Sequence, residues 1–579
     1  MRKIFFAFFL CLNAWPALSE EESIATDAIP VAIENSKLIE VFERYLSTVQ
    51  MFDPERATRL GLHGADTFVT QRTLDRQNKQ LSTFRSLRSK LREVNRDLLS
   101  PAVRADCDLL DRMLEADIYE LANLNVLKLR PQYYLEPFLL IYSLMARNYD
   151  DYNVRAVNAL SRLRKLPPLL QQARKNLTTP PKIWTEQAIK QAEALEAGVE
   201  EFLPAFKEYA GYDPALDAQV KETFAQVKAA LADYRGFLQK NILPVSNGDF
   251  RSGDPAYEFY LNRWHALDMS PGAALGYSKG AFKRARKNLE KEARRADAAL
   301  FKAKGWKAVL DKMPKKHPPA DGVLKAFQDE MNRLYRRFYE HKTVSFPKRS
   351  PVIMRMPVFA AAILPYVQYF PPFAYDDSGL AELMVALPSA DLPAESRERV
   401  LQEGFNYSQL ELLSASTLLP GLHLLNWEAN LNPSRIRRLS NQPMLVSGWA
   451  AYSELLTEEL GYYSSSWTRL LRAYMAAVRA ARAYVDVSLH RKKMTEKEAV
   501  DFFRDNLYFS EAQSRGEVLR LSLSPTQALG PVLGLARILE MRDHFPGTGQ
   551  KYSDLRKFHD SLLKEGKIPL AGLESFIPR

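Results

Sequence analysis

Eight histidines are the side chains best suited to chemistry here: His63, His265, His317, His341, His423, His490, His544 and His559. Their spacing forms no known hydrolytic centre. The chain holds no His-Glu-x-x-His pair, no Gly-x-Ser-x-Gly elbow, no Walker phosphate loop and no Gly-x-Gly-x-x-Gly turn. A lone histidine on a helix more often completes a hydrogen bond than holds a metal. Cysteine adds little. Cys11 lies in the N-terminal apolar run and Cys107 stands alone behind it, so the folded part has neither an internal disulfide nor a cysteine metal site.

The elements that must position any site read mainly as helices. From Asp213 to Leu238, Leu216, Val220, Phe224, Val227, Leu231, Tyr234 and Leu238 recur every three or four residues and form one apolar stripe. Asp213 is suited to the N-cap and Pro214 to the first turn. The same periodicity predicts helices over 36–50, 74–97, 101–123, 182–208, 270–299, 321–341, 393–418, 446–490 and 525–541. Thr495 with Glu498 predicts a capping box. Only 343–388 differs. Its short β-branched and apolar runs, divided by prolines, predict a small β element. Turn chemistry at Pro244–Asp249 suggests a helical N-terminal region over 20–245 and a C-terminal region over 246–579.

Two features bear on location. Arg2 and Lys3 precede an apolar run from Ile4 to Leu12, and small residues follow at Ala17-Leu18-Ser19. This predicts a signal peptide over 1–19, cleaved near Ser19, and a periplasmic or secreted product. The chain carries 80 Lys or Arg against 69 Asp or Glu. Much of the excess lies between Lys283 and Lys316, with thirteen basic residues against four acidic ones. That segment is either a solvated helix face or a landing site for an anionic envelope surface. Its aromatic content is thin and no nucleic-acid module is present, so nucleic acid is not an expected partner.

Several stretches carry a resemblance: Leu418–Leu424, Ser447–Glu454, Arg479–His490, Pro525–Leu529 and Phe558–Glu574, with Asp53–Gly61 and Leu160–Leu177 in the N-terminal region. In order and spacing they resemble the bacterial family called domain of unknown function 885, which is similar to helical zinc metallopeptidases of the gluzincin type. The resemblance implies a mostly α, multi-helix gluzincin-like body with a central cleft. It also implies His-Glu-x-x-Pro-Gly-His-His followed about 30 residues later by Glu-Gly-Trp-Ala. In such a site two imidazoles and a carboxylate hold zinc, and the glutamate takes a proton from the bound water.

Aligned on Pro420-Gly421, this chain has Ser416 at the first histidine and Thr417 at the general base. Leu422-His423 replaces the histidine pair, and Ser447 replaces the later glutamate. Only His423 survives as a family ligand, so zinc is expected to be absent. Glu454 is the nearest substitute along the helix, but it lies seven residues from Ser447, about 10 Å along the axis. Two tyrosines usual in the family are replaced by Leu521 and by the Gly530-Pro531 segment. Arg482, Asp486, His490 and Gln527 are retained. They read either as remnants of a substrate-binding wall or as structural residues, with Arg482 and Asp486 paired at i,i+4 and His490 closing a helix.

These readings predict an exported pseudoenzyme that binds a peptide or protein in the old cleft. Two alternatives stand beside it. One is an active peptidase rebuilt around His423, or around Ser416 with His423 or His490 as base. The other is an envelope-binding protein using the 283–316 segment.

Overall fold

The computed structural model describes residues 21–211, 213–361, 366–375, 379–547 and 552–578. The predicted signal peptide lies outside them. The fold is mostly α. Its longer and site-bearing helices are α1 (Glu21–Phe52), α2 (Leu74–Arg92), α3 (Pro101–Asn123), α4 (Tyr152–Asn176), α5 (Lys182–Gly198), α6 (Pro214–Phe237), α7 (Gly253–Phe259) and α8 (Pro271–Ala296). They continue with α9 (Val323–His341), α10 (Tyr407–Thr417), α11 (Leu422–Asn430), α12 (Pro443–Glu459), α13 (Ser466–His490), α14 (Glu511–Leu523) and α15 (Tyr552–Leu563). Among the described residues no helix is long and apolar enough to cross a membrane.

Local chemistry sets many of the ends. Asp213 accepts from the backbone N–H groups of Ala215 and Leu216 at 2.9 and 3.2 Å, with Pro214 in the first turn of α6. Thr495 and Glu498 form the reciprocal capping box. Several predicted helices are interrupted, including 182–208 at Val199–Phe202 and 270–299 at Asp297. The 446–490 run divides into α12 and α13 around Gly461, whose φ of 64° leaves helical space. The 393–418 run divides where Asn406 accepts from Gln409 N–H and starts a new helix. Within 525–541, Thr526 has a φ of 70°, and short 3₁₀ and π segments precede the helix Leu535–His544.

The β element is a three-stranded sheet of β1 (Val352–Arg355), β2 (Val367–Phe370) and β3 (Glu382–Val385), in the order β1-β3-β2. β1 runs parallel and β2 antiparallel to β3. Every residue of the central strand β3 is buried. Leu383 and Val385 pack with Phe327, Phe405 and Leu410, which fixes the sheet against α9 and α10.

The largest core draws on both sides of residue 245. Tyr45, Phe84 and Leu110 share it with Tyr257, Trp449, Tyr452 and Phe558. A second core draws mainly on 127–242 and includes Met384 of β3 and Met356 just past β1. α8 and α13 lie along each other. Small buried residues on both, Ala274, Ser278 and Ala281 against Ala473, Ala477 and Ala481, suit a close approach.

Candidate functional site

The motif positions sit where α10 turns into α11 and α12 crosses them. Ser416 donates its hydroxyl toward the Leu412 and Leu413 carbonyls at 3.1 and 3.2 Å. Thr417 donates to the Leu413 carbonyl at 2.6 Å. Both hydroxyls are turned back onto their own helix. The Leu419-Pro420 peptide bond is cis. A Cβ on Gly421 would lie 2.1 Å from the Ser416 carbonyl oxygen, so this turn requires glycine. Trp449 is fully buried and donates its indole N–H to the Pro420 carbonyl at 2.8 Å. Gly448 meets Gly534 so closely that an added Cβ would lie 2.5 Å from the Gly534 carbonyl carbon. Ser447 is half-buried beside Gly530.

His423 is buried with both ring nitrogens engaged. Nε2 lies 2.7 Å from the Arg349 carbonyl and therefore donates; Nδ1, 3.1 Å from the Tyr369 hydroxyl, accepts. Burial lowers the pKa of this imidazole, while the carbonyl contact works the other way. Its neighbour Leu422 packs against the core. Two hydroxyls held by backbone carbonyls, an aliphatic side chain and an imidazole with both nitrogens occupied do not fit zinc. Among the described residues no three His, Cys, Asp or Glu side chains come together in a way that could hold a metal ion. Glu454 is buried and faces away, in a two-pronged ion pair with Arg479 that includes a contact of 2.5 Å.

The retained residues gather elsewhere. Arg482 does not pair with Asp486. It pairs with Glu517, with Nε 2.8 Å from a carboxylate oxygen. Asp486 is fully buried and takes its partners from other segments. It accepts from the Tyr257 hydroxyl at 2.6 Å and from Thr526 N–H at 3.0 Å. Burial raises its pKa. His490 accepts at Nδ1 from Ser252 N–H at 3.3 Å and donates from Nε2 to the Leu521 carbonyl at 3.0 Å. Asp486 and His490 thus brace Thr526 and Ser252, which line a cavity of about 560 Å³. Gln527 lines the same cavity directly.

This cavity lies between the end of α3, the α7 region and the end of α14. Tyr119, Trp184, Phe250, Tyr260 and Trp264 give it aromatic walls, and Glu120, Asn125 and Arg130 add polar groups. Thr526 holds the left-handed φ of 70° in its wall, a conformation costing a β-branched residue on the order of 1–3 kcal/mol. The Asp486 contact and a 2.8 Å contact between Thr526 Oγ1 and His265 Nε2 hold it there. Burial pulls the His265 pKa down to about 4. A second cavity of about 240 Å³ adjoins the first and shares Glu120, Val126 and Arg130 with it. Glu120 is exposed to the cleft yet crowded by protein, and that desolvation, with Asp117 nearby, pushes its pKa to about 7. A carboxyl with a raised pKa beside an aromatic cleft makes this surface a candidate binding site. Neither Glu120 nor Arg130 stands out in the sequence, because the walls come from distant segments and share no spacing.

The comparisons with known proteins agree on fold. A structure from Shewanella oneidensis, described as a "putative lipoprotein of unknown function", matches with a TM-score of 0.73 at 21% identity, covering 94% of this chain and 99% of that one. A "putative lipoprotein" from Colwellia psychrerythraea matches with a TM-score of 0.73 at 17% identity, covering 93% and 98%. No curated protein matches. The family model described as "Bacterial protein of unknown function (DUF885)" matches residues 54–577. The chain belongs to that family.

Proposed function

We propose that this protein is an exported, peptide-binding member of its family that does not carry out zinc-dependent hydrolysis. The observation that carries the reading is His423. The one surviving family ligand is enclosed by Tyr369 and the Arg349 carbonyl. Ser416 and Thr417 bond their own helix, which also leaves Ser416 without a base at hydrogen-bond distance. The ligand surface is the cleft formed by the two adjoining cavities, whose aromatic walls and few polar groups suit a short peptide. The N-terminal basic and apolar run, and the description of the two structural neighbours as lipoproteins, support an envelope location.

Metal analysis of the purified protein tests the loss of the zinc site. The expected result is well under one zinc per chain; stoichiometric zinc that disappears in His423→Gln overturns the proposal. A peptide-library digest, with Ser416→Ala as control, is expected to show no cleavage. Cleavage abolished by that substitution would establish the serine hydrolase instead.

A second reading has its own observation. Lys283, Arg284, Lys287, Lys291, Lys302, Lys304, Lys315 and Lys316 are exposed, and none of them forms an ion pair among the described residues. We propose that this face also meets an anionic envelope surface. Co-sedimentation with vesicles containing an anionic phospholipid should fall as salt rises. Equal co-sedimentation by the wild type and a Lys287→Ala, Lys291→Ala, Lys302→Ala, Lys304→Ala variant removes the reading.

A further inference from the structure

Four guanidinium groups and four carboxyl groups line the smaller cavity, and two of the guanidiniums keep N–H donors without a hydrogen-bond partner among the described residues. Arg56 is committed to Asp117 at 2.9 Å, and Arg76 donates to the Met51 carbonyl at 2.6 Å. Arg72 is different. It is 2% exposed, and its Nε and Nη1 atoms are buried with no hydrogen-bond partner among the described residues. The nearest carboxylate, Glu55, stands 3.8 Å from Nη1 and already accepts from Thr70 N–H at 3.0 and 3.1 Å. The Tyr133 ring lies 4.0 Å below the guanidinium and fixes its plane. Arg130 lines the same cavity. Among the described residues its Nε is also buried without a hydrogen-bond partner, and its Nη2 stands 3.7 Å from Glu136. Planar donor forks left open in one cavity are suited to a carboxylate or phosphate.

One free acid completes the pattern. Glu120 makes no side-chain hydrogen bond or ion pair among the described residues, and it stands where the two cavities meet. A ligand that matches this order presents an anion to the inner cavity and N–H donors just behind it. Its remainder reaches the larger aromatic cavity. The free C-terminal end of a peptide has that order of groups.

We infer that Arg72 and Arg130 form a carboxylate-binding subsite for the C-terminus of a peptide, with Glu120 receiving the backbone or amino N–H groups that follow. This rests on the peptide-binding reading above and adds the polarity with which the peptide enters. A phosphate shares the anionic chemistry and is separated from it in the test.

The test uses the full chain and three probes: a tetrapeptide library with free carboxylates, the same library with C-terminal amides, and inorganic phosphate. Equilibrium dialysis with mass spectrometry reads retention. The free-acid library should be retained about tenfold more strongly than the amides, as expected for loss of a charge-assisted contact. Arg130→Gln and Arg72→Gln should abolish that difference. Arg130 is only partly buried, so Arg130→Gln should keep the thermal midpoint even if Arg72→Gln fails to fold. Equal retention of acids and amides overturns the subsite while leaving peptide binding intact. No retention of either library overturns peptide binding and the subsite with it. Phosphate bound in an Arg130-dependent way, without free-acid peptides, assigns the arginines to phosphate and overturns the peptide terminus.

Discussion

Tyr369→Phe probes the contact that occupies His423 Nδ1. The substitution keeps the ring that β2 contributes to the core and removes only the hydroxyl that donates to His423 Nδ1 at 3.1 Å. His423 is 1% exposed, so no water replaces that donor directly. An unpaired buried acceptor costs about 1–3 kcal/mol, and a contact as long as 3.1 Å places this one in the lower half, about 1–2 kcal/mol. The Nε2–H bond to the Arg349 carbonyl, at 2.7 Å, stays in place and holds the ring. The variant should therefore fold and lose urea stability by that amount at pH 8, where the imidazole is neutral. The His423 pKa should rise, because the lost hydrogen bond favoured the neutral ring. Urea unfolding and an NMR titration of the histidine resonances measure both effects. Zinc supplies the contrast. A ligand present at one hundred times its Kd stabilises by about 2.7 kcal/mol, yet zinc should leave the midpoint unchanged in both proteins. A zinc-dependent rise in the wild type, or no stability change in Tyr369→Phe, refutes the structural assignment of His423.

Three further outcomes follow from the surrounding packing. Gly448→Ala should cost about 3 kcal/mol, the upper end of overpacking, because its Cβ would meet the Gly534 backbone rather than a side chain that can move; urea unfolding measures it, and a loss under 1 kcal/mol contradicts the close crossing. Glu454→Ala should cost about 3 kcal/mol, since it strands Arg479 beside a buried site, whereas the double variant Glu454→Leu with Arg479→Leu should recover most of the loss. His559 accepts at Nε2 from Tyr452 at 2.7 Å and donates at Nδ1 to the Thr343 carbonyl at 2.7 Å; burial holds its pKa down near about 4, against 6.5 in the unfolded chain. Its stabilising effect is complete above pH 6.5 and is lost as pH falls toward 4, by about 3 kcal/mol in total. His559→Gln should flatten that part of the stability profile between pH 7 and pH 4.5, and an unchanged slope would disprove the neutral, buried assignment.

How far the sequence could be read depended on the distance between partners. Asp213 capping α6 and the Thr495–Glu498 box were legible because donor and acceptor lie within one turn. The β element was legible because β-branched runs between prolines state a local preference. The helix breaks at Asn406 and Gly461 were not, because apolar periodicity continues across both and favours one long helix on pattern alone. The Arg482–Asp486 pairing failed for a tertiary reason. Asp486 faces the interior, where Tyr257 and Thr526 supply donors from 229 and 40 residues away, while Arg482 turns to Glu517. His423 likewise could be identified by its motif position, but its role is set by Tyr369 and Arg349, 54 and 74 residues distant.

The motif itself has two physical components. Gly421 and Gly448 are required by backbone approaches of 2.1 and 2.5 Å for any added Cβ, and Trp449 ties the two helices by donating to Pro420. Those constraints belong to the crossing of α10, α11 and α12 and persist whatever side chains stand at 416, 417, 422 and 447. At 416, 417, 422 and 447 the crossing accommodates two hydroxyls bonded to their own helix, a leucine packed on the core and a half-buried serine. A Gly-Trp pair after a Pro-Gly turn is therefore evidence of architecture, and chemistry must be argued separately from the side chains between them. In this chain that separate argument leads away from the turn and into the cleft, where Arg72 and Arg130 keep N–H donors, and Glu120 a carboxyl, that make no hydrogen bond among the described residues.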